Sequence, residues 1–220
     1  MRRAKTSPFA ILAAIALAAM PLVAEGQEPP PPPFIVQLVA RLDRLAADSA
    51  VHARTGAANG MALFASVPFD AIGRISDAEL VNLIGLLHAG FGNVDAPTCA
   101  LAYGQRGTDG LPQAFVAMAS KLDSAQAVPW VNAFVPLFEA GIAKRPLGTR
   151  VENPEALQVM QRSFDTLSAE DRARLQRGAK RTGTPEDVCF FVRTTFGSML
   201  TLPQPRAAAV IRTLMFGSGK

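Results

Sequence analysis

Apolar side chains recur at helical spacing along most of this chain. Phe34, Leu38, Leu42 and Leu45, joined by Ile35, Val39 and Ala46, form one stripe, with Arg41, Asp43, Arg44 and Asp48 off it. That pattern predicts an amphipathic helix over 34–54, broken by the segment between Gly56 and Gly60. A short apolar run from Met61 to Phe69 follows. Ser76-Asp77-Ala78-Glu79 then carries a start signal in which the serine hydroxyl and the glutamate three residues on satisfy each other's backbone amides. It launches a strongly apolar helix through Leu80, Leu83, Ile84, Leu87 and Phe91, ended by Gly90 and Gly92.

Downstream, Thr98 to Tyr103 reads as a short helix, and Gly104, Gly107 and Gly110 as the loop after it. Helical spacing resumes over Leu111–Leu122 with Phe115, Met118 and Leu122. Ser124–Ala143 contains Trp130, Val131, Phe134, Leu137, Phe138 and Ile142. It could be taken for a membrane span, but Pro129, Asn132, Pro136 and Glu139 mark it as a core element, with a kink or break expected at Pro136. Lys144–Glu152 is turn-rich. Three further starts follow: Asn153-Pro154-Glu155 with Asn153 as N-cap, Ser168-Ala169-Glu170-Asp171, and Thr184-Pro185-Glu186-Asp187. Pro203 to Pro205 turns the chain into a last helix over Ala207–Phe216. No alternating strand pattern survives, so the expected fold is all-α: a single compact multi-helix domain over 34–220.

Two stretches within it can be aligned. Phe69-Asp70 precedes Ile75-Ser76-Asp77-Ala78-Glu79 as Phe164-Asp165 precedes Leu167-Ser168-Ala169-Glu170-Asp171, and Cys99 and Cys189 follow at similar distances. One interpretation is an internal duplication with halves 34–144 and 153–220, each burying its apolar face against the other. The other is chance similarity between two Ala/Leu-rich helical stretches.

The N-terminus alters the meaning of the composition. Arg2, Arg3 and Lys5 precede an apolar stretch from Phe9 to Ala24, the layout of a secretory signal peptide over 1–26 cleaved after Ala24 or Gly26. The stretch is too short, and too interrupted by Pro21, for a spanning helix, so no integral membrane span is expected after processing. The full chain carries a formal net charge of +4. Removing 1–26 takes away three basic side chains and Glu25, leaving 19 basic against 17 acidic, a nearly neutral protein of +2. The following 27–33 segment, with prolines from Pro29 to Pro33, reads as a stiff polyproline spacer.

Export places the two cysteines in an oxidising compartment, periplasmic or extracellular, where Cys99 and Cys189 are expected to pair. A loop of that length contributes roughly 4–5 kcal/mol in the chain-entropy model. If the duplication is real, the bond ties equivalent positions of the two halves. A redox role would call for a Cys-x-x-Cys pair or a cysteine beside a cation.

Catalytic chemistry is thinly represented. His52 and His88 are the histidines, without a His-Glu-x-x-His pattern, and no Gly-x-Ser-x-Gly elbow is present. No cofactor or metal is indicated. Gly217-Ser218-Gly219-Lys220 lacks both the preceding glycine and the following helix of a phosphate loop. Glu79, Glu139 and Glu152 are available carboxylates, but spacing nominates none for glycan hydrolysis.

The remaining signal is electrostatic. Residues 27–123 hold 6 basic and 9 acidic side chains, and 124–220 hold 13 and 8. Arg174, Arg177 and Arg181 fall on one helical face and form a candidate site for an anionic partner, against the plain alternative of a solvated face. Secretion, near-neutral charge and the lack of interleaved aromatics argue against nucleic acid. The expected role is an exported cell-envelope binding or accessory factor, its partner another envelope protein or an anionic envelope component. The alternative is an envelope hydrolase of the cell-wall glycan type.

Two measurements on exported protein check this reading. N-terminal sequencing should begin at Glu25 or Gln27, and non-reducing peptide mapping should recover Cys99 and Cys189 in one linked species. An unprocessed start, or two alkylatable thiols, contradicts it.

Overall fold

The computed structural model describes residues 30–67, 69–103 and 111–216; the expected signal peptide over 1–26, the expected loop at Gly104–Gly110 and the Gly217–Lys220 end lie outside them. The chain is all-α. In order, its helices are α1 (Pro33–Ala46), α2 (Ser49–Thr55), α3 (Gly60–Ser66), a 3₁₀ turn (Phe69–Arg74), α4 (Asp77–Gly92), α5 (Ala96–Ala100), α6 (Leu111–Ala119), α7 (Ser124–Ile142), α8 (Asn153–Asp165), α9 (Ala169–Lys180), α10 (Pro185–Leu200) and α11 (Gln204–Phe216). No strand occurs among the described residues, and none of their helices is long and apolar enough to cross a membrane.

Two compact units emerge, each discontinuous in sequence. The first combines the chain up to Arg74 with Ala119–Arg145, and the second combines Ile75–Met118 with Pro146–Lys220. These boundaries differ from halves at 34–144 and 153–220, because 75–118 packs with the C-terminal helices rather than with the segment before it.

In the first unit, α1 packs on α3 and α7. Its buried stripe is Phe34, Leu38, Leu42 and Ala46. The single helix expected over 34–54 is two, because Asp48 accepts the amides of Ala50 and Val51 and so caps a new start. The Asp43 carboxylate accepts the Gly60 amide at 2.6 Å, tying the start of α3 to α1. A Cβ at Gly60 would stand 2.8 Å from the Val39 carbonyl, so only glycine lets these two backbones meet.

Helix α7 runs unbroken through Pro129 and Pro136. Pro136 leaves the Asn132 carbonyl without its helical donor, but Asn132 is exposed and water can serve it. Trp130 and Val131 before that point, and Leu137 and Phe138 after it, are buried. At about 1.5–3 kcal/mol per large side chain, their burial outweighs the roughly 3 kcal/mol that an interior proline costs. Asp123 and Gln126 form a reciprocal cap at its start.

The second unit is organised around α10, which touches α4, α5, α8, α9 and α11. The Ser76–Glu79 capping box opens α4 as expected. Ser168 likewise caps α9 by accepting the Asp171 amide. At α8 the N-cap is Glu152 rather than Asn153, which is the first helical residue with Pro154 after it. Thr184 occupies the N-cap of α10, but its hydroxyl caps no backbone amide. The Cys99–Cys189 disulfide joins α5 to α10 across 90 residues, wholly inside this unit, with both cysteines buried.

The last helix carries the most buried charge. Arg212 is 1% exposed and donates to Asp77 Oδ1 at 2.6 Å and to the Ile75 carbonyl at 2.7 Å. Beside it, the Thr213 hydroxyl accepts the Val151 amide, fastening the segment that precedes α8. Gly148 makes room for the guanidinium, since a Cβ there would lie 2.6 Å from Arg212 Nε.

Asp77→Ala should destabilise the protein by about 3 kcal/mol in urea titration, because it strands a buried guanidinium. Adding Arg212→Leu should recover part of that loss. A double variant no better than the single one would show that the pair is not the source of the effect.

Candidate functional site

Helix α9 and the start of α10 form a hairpin around one carboxylate. Asp187, third residue of α10, is buried. Arg177 grips it with two hydrogen bonds, Nε to Oδ2 at 2.9 Å and Nη2 to Oδ1 at 3.2 Å. Arg174 adds an ion pair at 3.3 Å, donates to the Glu186 carbonyl, and stacks over Phe190 at 4.6 Å. Gly178 and Gly183 leave no side chain in the way: a Cβ at Gly178 would meet the Asp187 backbone, and one at Gly183 its carboxylate.

The three arginines expected to present one anionic-partner face are thus drawn to different duties. Arg174 and Arg177 serve Asp187. Arg181 ends α9 in the left-handed conformation, φ 55°, with its guanidinium 4.2 Å from the Tyr103 ring. Tyr103 in turn meets Phe191 at 4.8 Å. Asp187 was legible in the sequence only as an acid in a capped first turn. The ten-residue spacing to Arg177, with glycines at 178 and 183, was the available sign of a close hairpin.

The titration of the nearby groups follows from this geometry. The Arg177 hydrogen bond, chiefly, and its charge hold the Asp187 carboxyl below the usual aspartate range, overcoming burial. The same bond raises Arg177. Glu186 is also lowered, mainly by a hydrogen bond from the Thr184 side chain. Both carboxylates move down, opposite to the shift of a general acid that must hold its proton near neutrality.

A second polar feature was not legible at all: an open groove along α10. It is lined by Phe190, Arg193, Ser198 and Thr201, with His88 of α4 and Arg162 of α8 on its walls. His88 is half-buried and rests on Gly197, where a Cβ would approach its Nε2 to 3.2 Å. Arg193 is committed to the end of α4, donating to the Phe91 and Val94 carbonyls. The Ser198 and Thr201 hydroxyls donate to backbone carbonyls of their own helix. Arg162 is exposed. The groove therefore offers one guanidinium, an imidazole and an aromatic face on a braced wall. Among the described residues that line it there is no carboxylate. Among the described residues no cluster of His, Cys, Asp or Glu could hold a metal ion.

No family model, characterised protein or solved structure matches this chain.

The Asp187 clamp has a pH signature. A carboxyl held below its ordinary value of 3.8 contributes stability that is present above that value and lost as pH falls through the folded-state pKa. Thermal midpoints should therefore decline on acidification below about pH 4. Asp187→Asn should be less stable at neutral pH and show a shallower acid decline. Equal slopes for both proteins would remove Asp187 from the account.

Proposed function

We propose that this protein is an exported cell-envelope binding or accessory factor, and that it recognises an anionic group of an envelope partner through the groove along α10. The observation that carries this reading is the composition of that groove. Arg162, His88 and Phe190 present positive charge, hydrogen bonding and an aromatic face on an open surface, a combination suited to holding a carboxylate- or phosphate-bearing partner. The carboxylates with displaced titration sit elsewhere, in the Asp187 clamp, and are held ionised.

Support for export comes from the basic and apolar N-terminal pattern and the disulfide, which suits an oxidising compartment. A wall-hydrolase reading would need a proton-holding carboxyl facing a second carboxylate, and neither Glu186 nor Asp187 has that character.

A photo-crosslinking amino acid placed at Arg162 or Thr201 of the exported protein should capture one predominant envelope component. The same probe at exposed Val36 should not capture it, and capture should weaken as salt is raised. Indiscriminate capture from all three positions would refute a binding role for the groove.

A further inference from the structure

The first unit carries a separate cationic groove. It lies where the end of α2, the 3₁₀ turn and the end of α7 meet, and its charged walls are Arg54, Asp70, Arg74 and Lys144. Three cations face one carboxylate. Asp70 Oδ2 is paired with Arg74, whose Nη2 lies 2.7 Å away, while the buried Oδ1 has no partner among the described residues. Arg74 also donates to the Arg145 carbonyl. Arg54 and Lys144 are exposed, and neither side chain has a hydrogen-bond or ion-pair partner among the described residues.

Lys144 is held there at a cost. Its φ of 48° is left-handed, a conformation that favours glycine. It closes α7 with a Gly141 carbonyl bond to its own amide and an Ala140 carbonyl bond to the next, the arrangement in which glycine is the usual residue. The other left-handed non-glycine residue among those described, Arg181, gains an internal contact on Tyr103. Lys144 gains none of that kind, yet a glycine there would relieve the strain.

We infer that Arg54 and Lys144, with Arg74 behind them, form a site for a phosphate monoester. A net charge of +2 across the four groups matches a phosphate dianion. A guanidinium can take two of its oxygens while the ammonium acts as a point charge. The Thr55 and Ser66 hydroxyls on the rim already donate to the Val51 and Leu63 carbonyls, so the cations carry recognition. The closing bonds occupy the Ala140 and Gly141 carbonyls at the end of α7.

The chemistry is shared by a soluble phosphate ester and a lipid headgroup, and two probes separate them: glycerol phosphate, followed by NMR, and phosphatidic acid vesicles, followed by cosedimentation. Binding to either supports the site and names its source, provided that Arg54→Gln and Lys144→Gly each weaken it at least about tenfold. Lys144→Gly should at the same time raise the thermal midpoint by about 3 °C. That opposition separates a ligand-binding lysine from one that only closes a helix. The inference is overturned if neither probe binds the mature chain, or if both variants bind as the parent does.

Discussion

A guanidinium with 1% exposure cannot remain charged in a protein interior unless its donors are met, and the second unit is arranged to meet those of Arg212. Nη1 goes to Asp77 and Nη2 to the carbonyl of Ile75, immediately before the Ser76 cap. The start of α4 is therefore fixed to the last helix, 135 residues further along the chain. Gly148 supplies the space, and Thr213, one residue on, binds both backbone groups of Val151. A charge buried at one point thus holds together the entry to α4, the segment before α8, and α11. Nε alone is left without a partner.

The same economy governs several other arginines. Arg193 satisfies carbonyls at the end of α4, Arg177 and Arg174 hold Asp187, Arg74 holds Asp70, and Arg181 covers Tyr103. Guanidiniums suit this work because their planar fork reaches several acceptors at once. Grouping by compact unit also erases the contrast between the two sequence halves. Among the described residues the second unit carries ten basic and ten acidic side chains, and the first seven and five. The excess in the C-terminal half thus combines arginines with internal contacts, such as Arg174, Arg193 and Arg212, with exposed cations such as Arg162, Arg172 and Lys180.

This explains which parts of the structure were legible beforehand. Local signals held: the Ser76–Glu79 box, the Ser168 cap, and the Phe34–Leu38–Leu42 stripe each lie within one or two turns of helix. The cysteine pairing was legible too, since a chain with two cysteines offers only one internal pairing. Asp48 and Asn153 misled because Asx residues near a boundary suit several positions, and the backbone path decides which one caps. Arg212 and Asp77, or His88 and Gly197, are invisible to any local pattern. Their meeting depends on the packing of elements far apart in sequence.

The two units are stabilised by different means, and this bears on what their grooves can do. The first relies on apolar packing of α1, α3 and α7, with edge contacts such as Phe34 on Phe134 at 5.6 Å. The second adds a disulfide, a buried ion pair and a carboxylate clamp, all converging on α10 or on its neighbours α4 and α11. A helix fixed by so many constraints presents Phe190, Arg193 and Thr201 in a set geometry. Binding against that wall would forfeit little conformational entropy, although exposed Arg162, which supplies the free charge, would still have to be ordered. In the first unit, by contrast, Arg54 and Lys144 are long exposed side chains that a ligand would have to order. Their affinity must come from charge, and should therefore be the more sensitive of the two to salt.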